Sequence, residues 1–108
     1  MSETDSLIAV HTTVADEAAA GALADALLGA GLAACIQTHA VPSHYRWRGK
    51  VECTPEILMV IKTRASAWPA LQTHIAAHHP YDEPELLALP VMEASPGYAA
   101  WVRENTGG

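Results

Sequence analysis

Short apolar runs alternate with amphipathic stretches along the chain. Leu7–His11 is an apolar run that predicts a buried strand. The stretch from Ala18 to Ala30 carries Leu23 and Leu27 four residues apart, which predicts a helix with one apolar face. Thr13 opens a Ser/Thr-x-x-acid signature that is typical of a helix start, and two glycines close the helix.

A long hairpin is predicted in the middle of the chain. Its first strand starts at Leu32 and continues to Trp47, and the return strand runs over 50–62. Arg48-Gly49 is a hairpin turn signal. Pro42 and Pro55 are nearly equidistant from this turn, and proline cannot donate to a strand ladder. We therefore expect a bend or bulge there, where the ribbon leaves the main sheet.

The last third of the chain predicts two helices around one strand. Ser66 is placed to cap the first, Pro80 ends it, and Ser95-Pro96 starts the second. Leu86–Met92 reads as a buried strand between them. The apolar stripes of the two helices consist of Trp68, Leu71 and Ile75 in the first and of Tyr98, Trp101 and Val102 in the second.

This order, β-α-β-β-α-β-α, predicts an α+β fold of the ferredoxin-like, split βαβ kind, with two helices on one face of a four-stranded antiparallel sheet. We expect a single domain over residues 7–106 after a disordered tail, residues 1–6. The strands at 57–61 and 86–92 are apolar on both faces. Since one face of such a sheet is left bare, self-association is the simplest way to cover it.

The aromatic residues near the hairpin tip also indicate self-association. Tyr45 and Trp47 point to one face of an extended strand, and His44, Arg46 and Arg48 point to the other. A ribbon this aromatic usually needs a partner, and that partner can be another copy of the chain.

Composition narrows the possible functions. The chain has 108 residues, 50% of them hydrophobic, and a net charge of −6, which argues against nucleic-acid binding. No apolar run reaches the length of a membrane span, and residues 1–6 are polar and acidic, so we expect a cytoplasmic protein. Cys35 and Cys53 form no CxxC motif and are expected to be buried thiols and not a disulfide.

Histidines concentrate near the end of the second predicted helix. His74 and His78 are four residues apart, so they share a helix face and could chelate a borderline divalent metal, with His79 beside them. The alternative is a polar helix surface that ends in a histidine. The loop from His79 to Glu85 is either a stiff connector or a pocket wall. No nucleophile with an oxyanion loop accompanies it, so an enzyme is not expected.

Several of these segments together resemble the CutA family, the divalent-cation tolerance proteins. The resemblance runs from about Leu7 to Arg103. The motifs that carry it are Leu32-Ala33-Ala34-Cys35, Ser43-x-Tyr45-x-Trp47-x-Gly49-Lys50, Ile61-Lys62-Thr63, His79-Pro80-Tyr81 with Pro84-Glu85, and Tyr98-x-x-Trp101.

The resemblance implies a homotrimer similar to the trimeric nitrogen-signalling regulators, with Tyr45 and Trp47 at the subunit interface, and weak copper binding. The family's paired histidines are present as His78 and His79, whereas Thr12 stands where the family has a ligand cysteine. It also implies a pocket at the subunit boundary, formed by Cys35, Lys62, His79, Tyr81 and Glu85. The alternative function is a trimeric small-molecule sensor or signalling scaffold whose metal binding is incidental.

Overall fold

The structure, a computed structural model, describes residues 5–107. A short 3-10 turn, Ala65–Ala67, leads into the second helix. The order of strands and helices is the predicted one. The elements are β1 (Leu7–Val14), α1 (Glu17–Gly29), β2 (Cys35–Trp47), β3 (Lys50–Arg64), α2 (Trp68–His78), β4 (Leu87–Pro90) and α3 (Pro96–Glu104).

The four strands form one antiparallel sheet in the order β2-β3-β1-β4. This is the split βαβ arrangement, so the predicted ferredoxin-like fold is confirmed. Strand residues alternate between the two faces. On β3, Ile57, Met59 and Ile61 are buried under the helices, whereas Leu58 and Val60 lie half-buried on the opposite face, called the open face below.

The hydrophobic core fills the space between the sheet and the helices α1 and α2. The small residue Ala20 lets α1 approach the sheet closely beside Leu23 and Leu27. From the strands and α2, the largest fully buried side chains are Val10, Val14, Met59, Ile61, Leu71 and Ile75. Helix α3 buries a second, smaller cluster that consists of Leu7, Ala99 and Val102.

Beyond Ile57 the sheet narrows to a two-stranded ribbon. Strand β1 ends where Val14 faces Ile57, while β2 and β3 stay paired as far as Trp47 and Lys50. The principal extents, 46 × 26 × 21 Å, reflect this protrusion. The radius of gyration is 14.5 Å. A compact chain of this length would have about 13 Å.

The prolines of the ribbon cause no bulge, which corrects one expectation. Pro42 and Pro55 are direct cross-strand partners in a register that runs without interruption. Pro42 lies on the edge strand β2, and β1 no longer flanks β3 at Pro55, so neither proline needs an N–H on the outer side of the ladder. The predicted turn is confirmed: Arg48 and Gly49 both have positive φ, 52° and 80°, as a two-residue type I′ turn requires.

Strand β4 differs from the prediction. Only Leu87–Pro90 forms a strand, and all four residues are exposed, so the buried strand expected over 86–92 is wrong for the single chain. The reason is its place at the edge of the sheet, where Leu87 and Leu89 point to the open face, which α3 covers only around Leu7. Tyr98 and Trp101 of α3 are likewise exposed and stack on each other, while Val102 is buried.

Two helices begin later than predicted. Thr13 lies within β1, and the cap of α1 is Asp16, whose carboxylate accepts the Ala19 N–H at 2.8 Å. Ser66 makes no cap bond for α2; the helix follows Ala67 instead. Sequence signatures of this kind locate a helix start only to within about one turn. Thr13 is part of strand β1, so the helix begins after it.

Ser66 is bound to a residue that the sequence assigned to the tail. The Asp5 carboxylate accepts both the backbone N–H and the hydroxyl of Ser66, at 3.0 and 2.6 Å, and pairs with Arg64. Burial raises the pKa of Asp5, but the Ser66 bonds and the Arg64 charge outweigh it and lower the pKa overall. The predicted tail thus includes a residue that is fixed to β3 and to the 3-10 turn that follows it; its residues 1–4 lie outside the described range.

The helices also bear on membrane insertion. Each helix within residues 5–107 falls short of the length and apolar character that crossing a bilayer requires.

Candidate functional site

The structure brings together two of the three histidines predicted as metal ligands. His74 and His78 lie one turn apart at the end of α2, and their rings stack with centroids 4.3 Å apart. His78 Nδ1 donates to the His74 carbonyl at 2.9 Å, so its Nε2 is the nitrogen left to bind a ligand. His78 is exposed, whereas His74 is half-buried and its Nδ1 is enclosed with no hydrogen-bond partner among the described residues, so His78 is the accessible member of the pair.

His79 is held in a different way. The helix ends at His78, and His79 adopts an extended backbone, as expected for a residue before proline. Its side chain is buried, where Nε2 donates to the Thr13 carbonyl at 2.9 Å and Nδ1 accepts the Tyr81 N–H at 3.0 Å. Burial lowers the pKa of His79, so the ring is neutral and both nitrogens are already used.

The residue in the position of the family's cysteine is fully buried. Thr12 faces the helices from the middle of β1, opposite Met59, and its hydroxyl has no hydrogen-bond partner. His11, the residue before it, points to the open face. A ligand at Thr12 would therefore lie inside the core, on the side of the sheet away from His11.

In the single chain, the residues of the pocket predicted at the subunit boundary fall into two separate groups. Cys35 and Lys62 are cross-strand partners at the base of the hairpin. Lys62 Nζ donates to Gln37 Oε1 at 2.8 Å, so its partner is an amide and not the carboxylate of Glu85. The Tyr98 hydroxyl contacts Cys35; burial first, then this contact, raises the pKa of Tyr98.

The other half of that pocket lies near the middle of β3, where β1 ends. The Tyr81 hydroxyl donates to Glu56 Oε2 at 2.8 Å. Glu56 is six residues from Lys62 along the strand, which is about 20 Å. The two halves can therefore contribute to one site only if different copies of the chain supply them.

A cleft of about 710 Å³ lies beside Tyr81, between the loop after α2 and the ribbon. Four carboxylates line it, and no lysine or arginine does. The predicted interface residues Tyr45 and Trp47 form part of its wall. Its lining is Thr13, Ser43, His44, Tyr45, Trp47, Glu56, Tyr81, Asp82, Glu83, Pro84 and Glu85.

Tyr81 and Glu56 fix one side of the cleft. Burial raises the pKa of Tyr81 to about 12, with a further contribution from the hydrogen bond to Glu56. The Tyr45 hydroxyl is tied to Thr54 at 2.8 Å. Sequence reasoning missed Glu56; the available signal was a carboxylate at the end of the apolar run 57–61, on the same face as Leu58 and Val60.

The described residues contain no group of three metal-ligating side chains. Within 5–107, no three of the histidines, cysteines, aspartates and glutamates lie close enough to hold one ion. A metal ion bound by a single copy would therefore be held by a pair of side chains, with water or a second copy completing its coordination.

Fold and site together define the class of protein: a ferredoxin-like α+β domain with a protruding ribbon, a largely uncovered sheet face, a histidine pair at the end of α2 and a carboxylate-lined cleft. The chain belongs to the CutA1 divalent ion tolerance family, whose model matches residues 8–105. The family's description names tolerance of divalent ions and no catalysed reaction.

Individual relatives agree with this assignment. The divalent-cation tolerance protein CutA of Thermus thermophilus is 43% identical over 99 residues, which is 91% of this chain and 96% of that protein. A chloroplastic CutA of Arabidopsis thaliana is 39% identical, and the match spans 97% of this chain but 58% of that protein. The crystal structure of CutA1 from Oryza sativa superposes with a TM-score of 0.92 at 38% identity, over 96% of both chains.

Proposed function

We propose that the protein is a homotrimer that binds divalent cations, with Cu(II) as the preferred ion, and that it acts in tolerance of metal ions. The observation that carries the metal assignment is the stacked His74 and His78 pair, which presents imidazole nitrogen at an accessible helix end. Imidazole ligands suit copper, and Cu(II) binds most tightly among the first-row divalent metals. The description of the family, tolerance of divalent ions, supports the choice.

The trimer is supported by surfaces that a single copy leaves uncovered. Leu87 and Leu89 are exposed on the open face, and the ribbon carries the exposed aromatics Tyr45 and Trp47. Association that covers these surfaces removes apolar area from water. It would also let the Cys35 and Lys62 end of one copy approach the Tyr81 end of another, as the predicted pocket requires.

Calorimetric titration of metal-free protein with Cu(II) tests the assignment. We expect His78→Ala to weaken Cu(II) binding at least tenfold and His74→Ala to weaken it to a similar degree. His39→Ala, which removes an exposed imidazole on β2, is the control and should bind as the wild type does. Zn(II) should bind less tightly, and binding should weaken below about pH 6 as imidazoles take up protons.

The variant His79→Ala distinguishes the proposed site, His74 and His78, from a site formed by His78 and His79. Because His79 is bonded to Thr13 and Tyr81, we expect its loss to lower stability and to leave Cu(II) affinity unchanged. Wild-type affinity in the His74→Ala/His78→Ala double variant would refute the proposed site.

A small-molecule sensor is the second candidate function, and the cleft beside Tyr81 favours it. Its carboxylates and aromatic walls suit an organic cation, since ammonium groups bind both to carboxylates and to aromatic faces. Glu56→Gln should then weaken binding of an amine such as spermidine, whereas Asp25→Asn on the exposed side of α1 should not. Tight binding of organic anions in place of amines would refute this form of the proposal.

In either role the protein binds its ligand and does not catalyse a reaction, and its partners are metal ions and further copies of itself. The cytoplasmic location stays a prediction from the sequence. The chain spans little more than half of the chloroplastic relative, so the properties of that longer protein are not transferred to it.

A further inference from the structure

An exposed thiol and an imidazole face each other across the ribbon. Cys53 and His44 are direct cross-strand partners, and Cys53 Sγ lies 3.7 Å from His44 Nε2. Both side chains are exposed, so the buried thiol that the sequence predicted at Cys53 is not what the structure shows. The pair lies two residues from the Pro42 and Pro55 pair, in the direction of the hairpin turn.

The separation of these atoms suits a shared metal ion. Typical metal–sulfur and metal–nitrogen bonds of about 2.3 and 2.0 Å place the two ligand atoms about 3.5 Å apart at a tetrahedral angle and about 4.3 Å apart when collinear. The observed 3.7 Å lies between these values. Two-coordinate Cu(I) prefers the collinear arrangement, which requires these exposed side chains to move apart by about 0.6 Å.

The backbone holds the two ligands in place before an ion arrives. The register is fixed on both sides, by Ser43 opposite Thr54 and by Tyr45 opposite Glu52. The two-residue turn allows only this alignment of the strands. Little conformational entropy is then lost when the ion binds, which raises the affinity of a two-ligand site.

The ligand set selects the ion. A thiolate favours soft metals, Cu(I) above all, while imidazole accepts copper and zinc alike. No third histidine, cysteine or carboxylate of residues 5–107 is close enough to complete the four ligands that zinc requires. Two ligands satisfy Cu(I). Arg46 lies on the same side of the ribbon as His44, and its positive charge disfavours a divalent ion more than a monovalent one.

We propose that Cys53 and His44 form a Cu(I) site on the ribbon of each copy. On binding, the Cys53 thiol releases its proton to solvent and its sulfur donates to the ion, while neutral His44 donates through Nε2. The copper arrives as Cu(I) and stays Cu(I), so no electron is transferred. The site shares no residue with the proposed Cu(II) pair His74 and His78.

Competition with a chromogenic Cu(I) chelator under reducing, oxygen-free conditions tests the site. We expect one Cu(I) per chain and an ultraviolet thiolate-to-copper charge-transfer band. Cys53→Ser should remove the band and weaken binding at least a hundredfold, and His44→Ala should weaken it about tenfold. Both residues are exposed, so circular dichroism should show that both variants fold.

Cys35→Ser is the matched control, since it removes the other thiol. Cys35 pairs with Lys62 across the strands and its side chain contacts Tyr98, so this variant should keep both band and affinity. Retention of the band in Cys53→Ser, or its loss in Cys35→Ser, would overturn the proposal. The His74→Ala/His78→Ala variant should bind Cu(I) normally, so failure of the Cu(II) assignment and failure of this one give different results.

Discussion

Neighbouring residues can have opposite roles when a helix ends between them. His78 is the last residue of α2 and faces solvent beside His74, whereas His79 turns into the protein and bonds to Thr13 and Tyr81. The first is exposed and makes its side-chain hydrogen bond to the His74 carbonyl within its own helix. The second holds the loop that carries Tyr81 against the end of β1.

The buried His79 should make the protein less stable in mild acid. Its pKa is lowered in the folded state, so between the ordinary value of 6.5 and the folded value only the unfolded chain binds the proton. Stability is therefore highest above about pH 6.5 and falls as the pH decreases, by up to about 1.4 kcal/mol per pH unit for one proton.

Urea unfolding at pH 7.5 and pH 5.5 measures this effect. The variant His79→Gln should be less stable at pH 7.5 by about 1–3 kcal/mol, because its amide replaces the two hydrogen bonds imperfectly. It should also lose less stability between the two pH values than the wild type. His39→Gln is the control and should keep the wild-type dependence; equal dependence in the His79 variant would contradict the assignment.

Tyr81 should keep its proton in alkali. Its pKa is raised to about 12, so between pH 10 and that value the folded chain retains a proton that the unfolded chain loses. The contribution of Tyr81 to stability is therefore present below pH 10 and is lost as the pH rises toward 12. In an ultraviolet titration of tyrosinate, the variant Tyr81→Phe should lack one of the tyrosines that ionise well above pH 10 in the wild type.

The same titration distinguishes the effect of the Glu56 hydrogen bond on the pKa of Tyr81 from the effect of burial. Glu56→Gln should lower the pKa of Tyr81 toward its ordinary value, since both the acceptor and its negative charge are altered. Glu85→Gln, which changes another carboxylate of the cleft, should have little effect. Identical titration of Tyr81 in all three proteins would show that burial alone accounts for the shift.

At this scale the sequence predicted residue types better than partners. It identified His79, Tyr81, Lys62 and Cys35 as chemically interesting, but the partner of His79 is 66 positions away, and the partner of Lys62 is Gln37 on the adjacent strand. Such pairings depend on register and on sheet order, which single residues do not encode.

Strand pairing is the element-scale feature that the sequence came closest to predicting in full. The equal distances of Pro42 and Pro55 from the turn already imply their pairing, and with it the pairing of His44 with Cys53. The length and burial of β4 were not predictable in this way. An apolar run looks the same whether a helix covers it, another copy covers it or nothing does.

The ribbon should contribute directly to assembly. We expect Trp47→Ala to weaken association by about 2 kcal/mol or more, as truncation of a buried interface aromatic often does. Sedimentation equilibrium measures the change. Trp101→Ala is a matched control, because Trp101 on α3 is 43% exposed and Trp47 is 50% exposed. Equal effects of the two substitutions would refute a specific role for the ribbon.

Considered as a whole, the chain covers one face of its sheet with α1 and α2 and leaves the other open except where α3 packs around Leu7. The core between the sheet and the helices is closed by α1 and α2, and Asp5 binds the chain near its start to Arg64 and Ser66. The uncovered part of the open face has large apolar residues on two strands, Leu58 and Val60 on β3 and Leu87 and Leu89 on β4.

A trimer that covers this face should persist on dilution to micromolar concentration, since an obligate interface buries on the order of 2,000 Å² or more. We expect Leu89→Glu to dissociate it, because a charge would be placed in the covered face. Leu28→Glu is the control: Leu28 lies on α1 and is 42% exposed, against 40% for Leu89. Sedimentation velocity that shows a wild-type monomer would contradict the proposed assembly.

The two-residue turn also affects the order in which the protein folds. Trp47 and Lys50 are separated only by the two-residue turn, so they can pair while the rest of the chain is still unfolded. A hairpin of this kind forms in about 1–10 μs. Leu7, in contrast, has to reach Arg64 across α1 and the entire ribbon. The aromatic ribbon therefore exists before the rest of the sheet and is exposed to other nascent chains in that interval. The net charge of −6 opposes contact between such chains.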